Sequence, residues 1–271
     1  MMARVQSGDG TVGKAVSVLD QIAAFGRPVR FSELLDDSDM PKATLYRLVQ
    51  TLTNQGMLAY DPDRQTYAPG LRLVQLAHAA WEQSSIAPVA RPFVDKLARK
   101  VGQTVHLAQL DHGHVLYVDK RDPAQPIAMF SQAGRVGPAY CTGVGKAMLA
   151  FLPEDELERV LQMQSFHRFT EHTLGTPEEL KAELAAIRAR GYAFDREEHE
   201  PRIICIAMPI LTRSGRVLGA MSVTTSTAHN TLDGLTAYAP DLKHTAQEIA
   251  ETVESWRFPE QTRTKQVMGA A

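Results

Sequence analysis

The stretch PKATLYRLVQTLTNQG, residues 41–56, decides how the first third of the chain is read. Leu45, Leu48, Val49 and Leu52 fall at i, i+3, i+4 and i+7, the stripe of a helix that buries one side only, and Gly56 supplies its stop. Pro41 suits a first helical turn, where its missing N–H is no loss. Opposite the stripe stand Ala43, Tyr46, Arg47 and Gln50, with Thr51 and Asn54 further round and Lys42 and Thr44 in the first turn. Arginine pairs with guanine and glutamine with adenine, while first-turn amides beside a lysine hold a phosphate. A merely solvated helix face carries the same residue types, so the neighbouring elements must decide.

Upstream, TVGKAVSVLDQIAAFG repeats Ala15, Val18, Leu19, Ile22 and Ala23 at helical spacing and stops at Gly26. A short apolar segment around Phe31, Leu34 and Leu35 follows, then an acidic turn with Asp36, Asp37 and Asp39, of which Asp39 is expected to cap the next helix. Downstream, MLAY and QTYAPG flank DPDR, two strand-like pieces about a turn that puts Arg64 at its tip. Helix, helix, turn, helix and hairpin within about 60 residues make a winged helix-turn-helix, which places a helix in the major groove. Arg64 is then the contact from the wing to the DNA backbone or minor groove.

Charge does not advertise that partner. The 271 residues carry a formal net charge of −2, and residues 1–70 hold seven Lys or Arg against eight acids. Composition is that of an ordinary globular protein, 44% apolar and 22% charged. Only Cys141 and Cys205 occur, no apolar run nears the roughly 18 residues of a membrane span, and MMARVQSGDG lacks the apolar centre of a signal peptide. A cytoplasmic, reducing setting with no membrane partner is the expectation.

Residues 71–84, LRLVQLAHAAWEQS, have Leu73, Val74, Ala77, Ala80 and Trp81 on one broad helical face and read as a linker. A second helix runs through Val89, Phe93, Leu97 and Val101. From Thr104 the period falls to two: TVHLAQLD and VLYVDKRD form a hairpin, with IAMFS (127–131) expected as a third strand. Then come PAYCTGVGKAMLAFL, a strand end entering a helix, helices at about 153–163 and 177–190, the strands YAFDREE, IICIAMPIL and RVLGAMSVTT, and a last helix near 240–256. Helices on one side of a mostly antiparallel sheet make an α+β domain. The expected boundaries are 1–70 for the winged helix-turn-helix, 71–85 for the linker helix, 86–258 for the second domain and 259–271 for a disordered tail.

Thr142, Gly143 and Val144 fall where strand becomes helix, so free amides and the positive helix end converge on one spot suited to a carboxylate. The segment is not a phosphate-binding P-loop, since Tyr140 stands where its first glycine belongs and Ala147 where its Ser or Thr belongs. Ser222 and Thr224, two apart, offer hydroxyls on one side of a strand, and Cys205 is either a small buried hydrophobe or a wall of the same pocket.

PKATLYRLVQTLTNQG, PAYCTGVGKAMLA, RGYAFDREEHEPRIICIAMPI and GRVLGAMSVT, in this order across about residues 12–256, resemble the IclR family of bacterial transcriptional regulators. The resemblance implies a winged-helix DNA-binding domain, a linker helix and a GAF-like effector-binding domain, working as a homodimer or dimer of dimers (homotetramer) on double-stranded operator DNA. Its effector contacts, matched position by position, fall on Gly143, Val144, Asp195, Ile203, Cys205, Ser222 and Thr224. Val144 and Thr224 are bulkier than the small residues of some relatives, which alters pocket volume. A carboxylate repels an anion, so Asp195 should meet a hydroxyl or be protonated while the helix amides take the acid group. The expected ligand is a small organic acid with a hydroxyl or keto group.

The competing reading is a ligand-binding enzyme or metal-dependent sensory module whose first 70 residues bind protein instead of DNA. Glu197, Glu198, His199, Glu200 and Cys205 are possible metal ligands, yet their spacing matches no closed zinc pattern, and His199 in a charged loop is expected to be solvated. No GxSxG elbow or Cys/His signature is present. No catalytic residue, cofactor or metal is therefore assigned, and the protein is read as a regulator rather than an enzyme.

Overall fold

A computed structural model of the chain describes residues 10–255; the expected tail at 259–271 lies outside the described residues. Contacts divide the chain between Ser84 and Ser85 into two compact units.

The first unit runs α1 (Thr11–Ala24), β1 (Val29–Arg30), α2 (Phe31–Asp36), α3 (Lys42–Asn54), β2 (Leu58–Asp61), β3 (Thr66–Pro69) and α4 (Leu71–Ser84). The strands form an antiparallel sheet in the order β1-β3-β2, of which the two-residue β1 carried no sequence signal. The stripe residues Leu45, Leu48, Val49 and Leu52 meet Val18 and Ile22 of α1, Leu34 of α2 and Tyr67 of β3 in one core. Asp39 does not cap α3. Pro41 disfavours a helical Met40, so the helix begins at Lys42 with Pro41 at the cap position, and the Pro41 carbonyl accepts from the N–H groups of Thr44 and Leu45 at 2.9 and 3.0 Å. Arg72 fastens the start of α4 by donating to the carbonyl and side-chain oxygens of Gln55 at 2.9 and 2.8 Å. Over residues 71–80 several apolar side chains of the helix are open: Leu71, Val74 and Leu76 are 81%, 64% and 49% exposed.

The second unit runs α5 (Ala87–Val101), β4 (Thr104–Asp111), β5 (His114–Arg121), β6 (Val136–Pro138), α6 (Gly143–Leu149), α7 (Glu154–Met163), α8 (Pro177–Arg190), β7 (Ala193–Arg196), β8 (Ile203–Leu211), β9 (Val217–Ser226), α9 (Leu232–Thr236) and α10 (Ala239–Ser255). Its antiparallel sheet has the order β6-β5-β4-β9-β8-β7. Every residue of β8 from Ile204 to Ile210 is buried. Neighbouring strand residues point to opposite faces, so both faces are covered rather than one. Cys205 and Ala207 pack with Val144 and Met148 of α6, Leu157 of α7 and Leu180 of α8, while α10 contacts β8 and β9 with residues outside that core.

The segment IAMFS is not a strand; the third strand of this part of the sheet is β6, paired to β5. Pro126 lacks a ladder donor, and the Phe130 N–H goes instead to the two carboxylate oxygens of Glu200 at 2.9 and 3.0 Å. The effect is to hold residues 130 and 131 beside the 197–202 loop, where they bear on the site below.

Candidate functional site

On α3, Lys42, Ala43, Tyr46 and Arg47 are exposed, and Thr44 and Gln50 are half-buried. Tyr46 stands edge-on to Phe31, with ring centroids 5.7 Å apart. The Gln50 amide donates to the Tyr67 hydroxyl at 3.4 Å, so this side chain is steered by the wing as well as open to solvent. At the wing tip Asp61 accepts the N–H groups of Asp63 and Arg64 at 3.0 and 3.1 Å. That tight turn projects the Arg64 side chain, 79% exposed, into solvent.

The seven residues matched as effector contacts, scattered over 82 positions from Gly143 to Thr224, line one cleft in the second unit, with about 380 Å³ of empty space counted out through its open mouth. Strand register explains the convergence. Asp195 of β7 pairs with Cys205 of β8, Cys205 with Thr224 of β9, and Ala207 with Ser222, so these side chains share one face. Over this face sits the start of α6. A Cβ at Gly143 would overlap Cys205 Sγ and come within 3.4 Å of the Asp195 amide nitrogen; only glycine allows this approach. The N-cap Thr142 spends its hydroxyl on the Pro138 carbonyl at 2.8 Å, leaving the first-turn amides of Gly143 and Val144 to the cleft.

Six further residues line the cleft: His106, Tyr117, Ser131, Thr142, His199 and Glu200. The His106 signal was present but faint, a polar residue on the buried face of an alternating strand; its register partner is Ser222. Its Nδ1 lies 3.2 Å from Thr224 Oγ1 and 3.3 Å from Ser222 Oγ, and its Nε2 lies 2.8 Å from Ser131 Oγ. Ser131 could not have been placed from sequence, because the bond from the neighbouring Phe130 N–H to Glu200, 70 residues away, sets its position. His199 is not solvated. Its ring packs between Phe130 and Phe169, at centroid distances of 5.1 and 4.7 Å, because an aromatic niche outweighs the charged residues beside it in sequence.

Asp195 is buried, and its Oδ1 accepts the Glu198 N–H at 2.8 Å. Burial, with the charge of Glu198 adding to it and Lys146 opposing, raises its pKa from 3.8 to about 7. Below, Lys146 and Glu198 form an ion pair with both side chains fully enclosed. Glu198 is thus committed to Lys146 and Glu200 to the Phe130 amide. Among the described residues no group of three or more His, Cys, Asp or Glu side chains is arranged to hold a metal ion.

The raised Asp195 pKa gives a signed expectation. The folded state holds this proton through a window where the unfolded chain has lost it, so Asp195 weakens folding progressively as pH rises from about 4 to about 7. His106, lowered to about 3 mainly by burial, contributes oppositely as pH rises from about 3 to 6.5. The total curve therefore conceals both, and the informative quantity is a difference. Denaturant unfolding of Asp195→Asn against wild type should show the variant gaining relative stability from pH 4 to 7 and levelling off above; a flat difference would mean that Asp195 is ionised throughout.

A winged helix-turn-helix unit followed by an α+β unit with a closed-in polar cleft defines a class of two-part transcription regulators. Residues 11–62 match the family described as IclR helix-turn-helix domain, and residues 78–251 match Bacterial transcriptional regulator IclR C-terminal. The chain belongs to the IclR family. It is 30% identical over 251 residues to the HTH-type transcriptional regulator KdgR of Dickeya chrysanthemi, covering 92% of this chain and 82% of that protein. The Thermotoga maritima IclR structure superposes with a TM-score of 0.74 at 31% identity, over 90% of this chain and 98% of that one. An IclR homologue from Microbacterium hydrocarbonoxydans, solved with 4-hydroxybenzoate, shares the fold with a TM-score of 0.78 at 22% identity, over 91% of this chain and all of that one. Its relatives are named as regulators of transcription, which is the function the helix-turn-helix and effector units carry.

Proposed function

We propose that the chain binds operator DNA as a homo-oligomer through Lys42, Ala43, Thr44, Tyr46, Arg47 and Gln50, with Arg64 on the flanking backbone. We propose further that a small organic acid with a hydroxyl or keto group, seated against Gly143, Val144, Asp195, Ile203, Cys205, Ser222 and Thr224, changes that affinity. The observation that carries the reading is the convergence of these seven residues on one polar, mostly enclosed cleft. The α6 amides favour a carboxylate, and a protonated Asp195 takes a hydroxyl or carbonyl oxygen without repelling the acid. The other carboxylate of the lining, Glu200, is engaged by the Phe130 amide. The exposed apolar residues of α4 suit a second copy of the chain. Coupling needs only a ligand that prefers one arrangement of the oligomer; about 1 to 3 kcal/mol changes DNA affinity roughly 5- to 150-fold. The setting proposed for this activity is the cytoplasm.

Thermal melting against a panel of hydroxy and keto acids, 4-hydroxybenzoate among them, tests the cleft. A ligand bound only to the folded protein at about 100 times its Kd adds about 2.7 kcal/mol and raises the midpoint. The double variant Ser222→Ala, Thr224→Ala should lose that rise. A rise retained in the variant would remove both hydroxyls from the site.

A further inference from the structure

His106 is buried, and every polar atom of its ring is engaged. Nδ1 faces two hydroxyls, Thr224 and Ser222, themselves 3.1 Å apart, and Nε2 faces the third, Ser131. Enclosure keeps the ring uncharged, with Lys120 reinforcing this and Asp122 and Glu200 opposing it. A neutral imidazole has one N–H and one bare nitrogen, and each hydroxyl has a single hydrogen. The hydrogens of this network can therefore be counted.

Suppose the proton is on Nδ1. It goes to Thr224, the Thr224 hydrogen goes to Ser222, and the Ser222 hydrogen is left for the cleft. The Ser131 hydrogen goes to Nε2, so Ser131 shows the cleft only lone pairs. Move the proton to Nε2 and both ends reverse. Ser131 accepts from the ring and turns its hydrogen to the cleft, while Ser222 donates to Thr224, Thr224 donates to Nδ1, and Ser222 shows lone pairs. In each arrangement one end donates and the other accepts.

Resting on the reading of this cleft as an organic-acid site, we infer that His106 is its specificity-determining residue, selecting acids that carry a hydroxyl over the corresponding keto acids. A hydroxy acid brings both a donor and acceptors, and so satisfies both ends of the network. A keto acid brings acceptors alone, and one end of the cleft is then left facing lone pairs with lone pairs. A buried mismatch of that kind weakens binding about tenfold or more. Ser131, held in place by the Phe130 amide on Glu200, is the positioning partner that makes the second end part of the readout.

The test uses the full chain with ¹⁵N-labelled histidine rings. In the ligand-free protein the His106 nitrogens should give one protonated and one bare resonance, unchanged between about pH 5 and pH 8, the range in which an ordinary histidine titrates. Binding is then measured for the matched pairs lactate and pyruvate, 2-hydroxyglutarate and 2-oxoglutarate, and mandelate and phenylglyoxylate. The hydroxy member of a pair that binds should be preferred by about tenfold or more, and the preference should fall to about threefold or less in Ser131→Ala. Equal affinities, a keto preference, or a hydroxy preference that survives in Ser131→Ala overturns the selection. A His106 ring that titrates in that range overturns its role whatever binds. Failure of every pair, with the ring neutral, instead overturns the acid reading of the cleft and the selection with it.

Discussion

Lys146→Met should lower the unfolding free energy by about 3 to 5 kcal/mol, the cost of leaving one buried charge without its partner. Lys146 is the largest charged residue fully enclosed in the structure, inside α6, with its ammonium on Glu198 Oε1. The same oxygen also accepts the Arg196 N–H at 3.3 Å, while the other carboxylate oxygen, Glu198 Oε2, is buried with no hydrogen-bond partner among the described residues. The pair joins α6, which carries the cleft amides, to the loop that follows β7, the strand of Asp195. Its loss should therefore loosen the cleft as well as the fold. Buried pairs are often no better than apolar residues of similar size, so Lys146→Met combined with Glu198→Leu should recover most of the stability. Denaturant titration of the two single variants and the double variant measures this. A Lys146→Met change below about 1 kcal/mol would show that the pair is solvated.

Arg47→Ala should cost about 1 to 3 kcal/mol at each half-site if the guanidinium reads a base. In a two-fold dimer both half-sites lose it, about 2 to 6 kcal/mol in all, giving roughly 30- to 20,000-fold weaker operator binding with little change in stability. Arg47 is exposed, and with Ala43 and Tyr46 it stands on the side of α3 turned away from Leu45, Leu48 and Val49. Anisotropy titrations on a set of single-base operator variants decide its role. Loss confined to particular base pairs identifies base reading; uniform weakening with a smaller salt slope identifies a phosphate contact.

What the sequence could disclose follows from how local each signal is. The α3 stripe, the wing and the start of α6 are set by residues within one or two turns of each other, and periodicity with Gly and Pro positions was enough to find them. The apolar run IICIAMPIL already implied a strand covered on both faces, although helices were expected on one face only. Asp39 misled because cap preference was weighed without the stiffness that Pro41 imposes on Met40. IAMFS misled because its backbone donor is claimed by Glu200, 70 residues away, which no local pattern reports. The cleft divides in the same way. Gly143, Ser222 and Thr224 advertise themselves by local chemistry, Asp195 and Ile203 came through family resemblance, and His106, Tyr117 and Ser131 are brought in by strand register and loop anchoring alone.

The most direct test of the account is electrophoretic mobility of the DNA flanking the chain's own gene, at stated moderate salt, with wild type and Arg47→Ala and with each member of the acid panel. The account predicts a specific complex for wild type, its loss for Arg47→Ala, and a shift in affinity of roughly 5- to 150-fold by at least one acid, absent in Ser222→Ala, Thr224→Ala. A wild-type protein that forms no specific complex, or one whose complex survives Arg47→Ala together with Lys42→Ala unchanged, contradicts it.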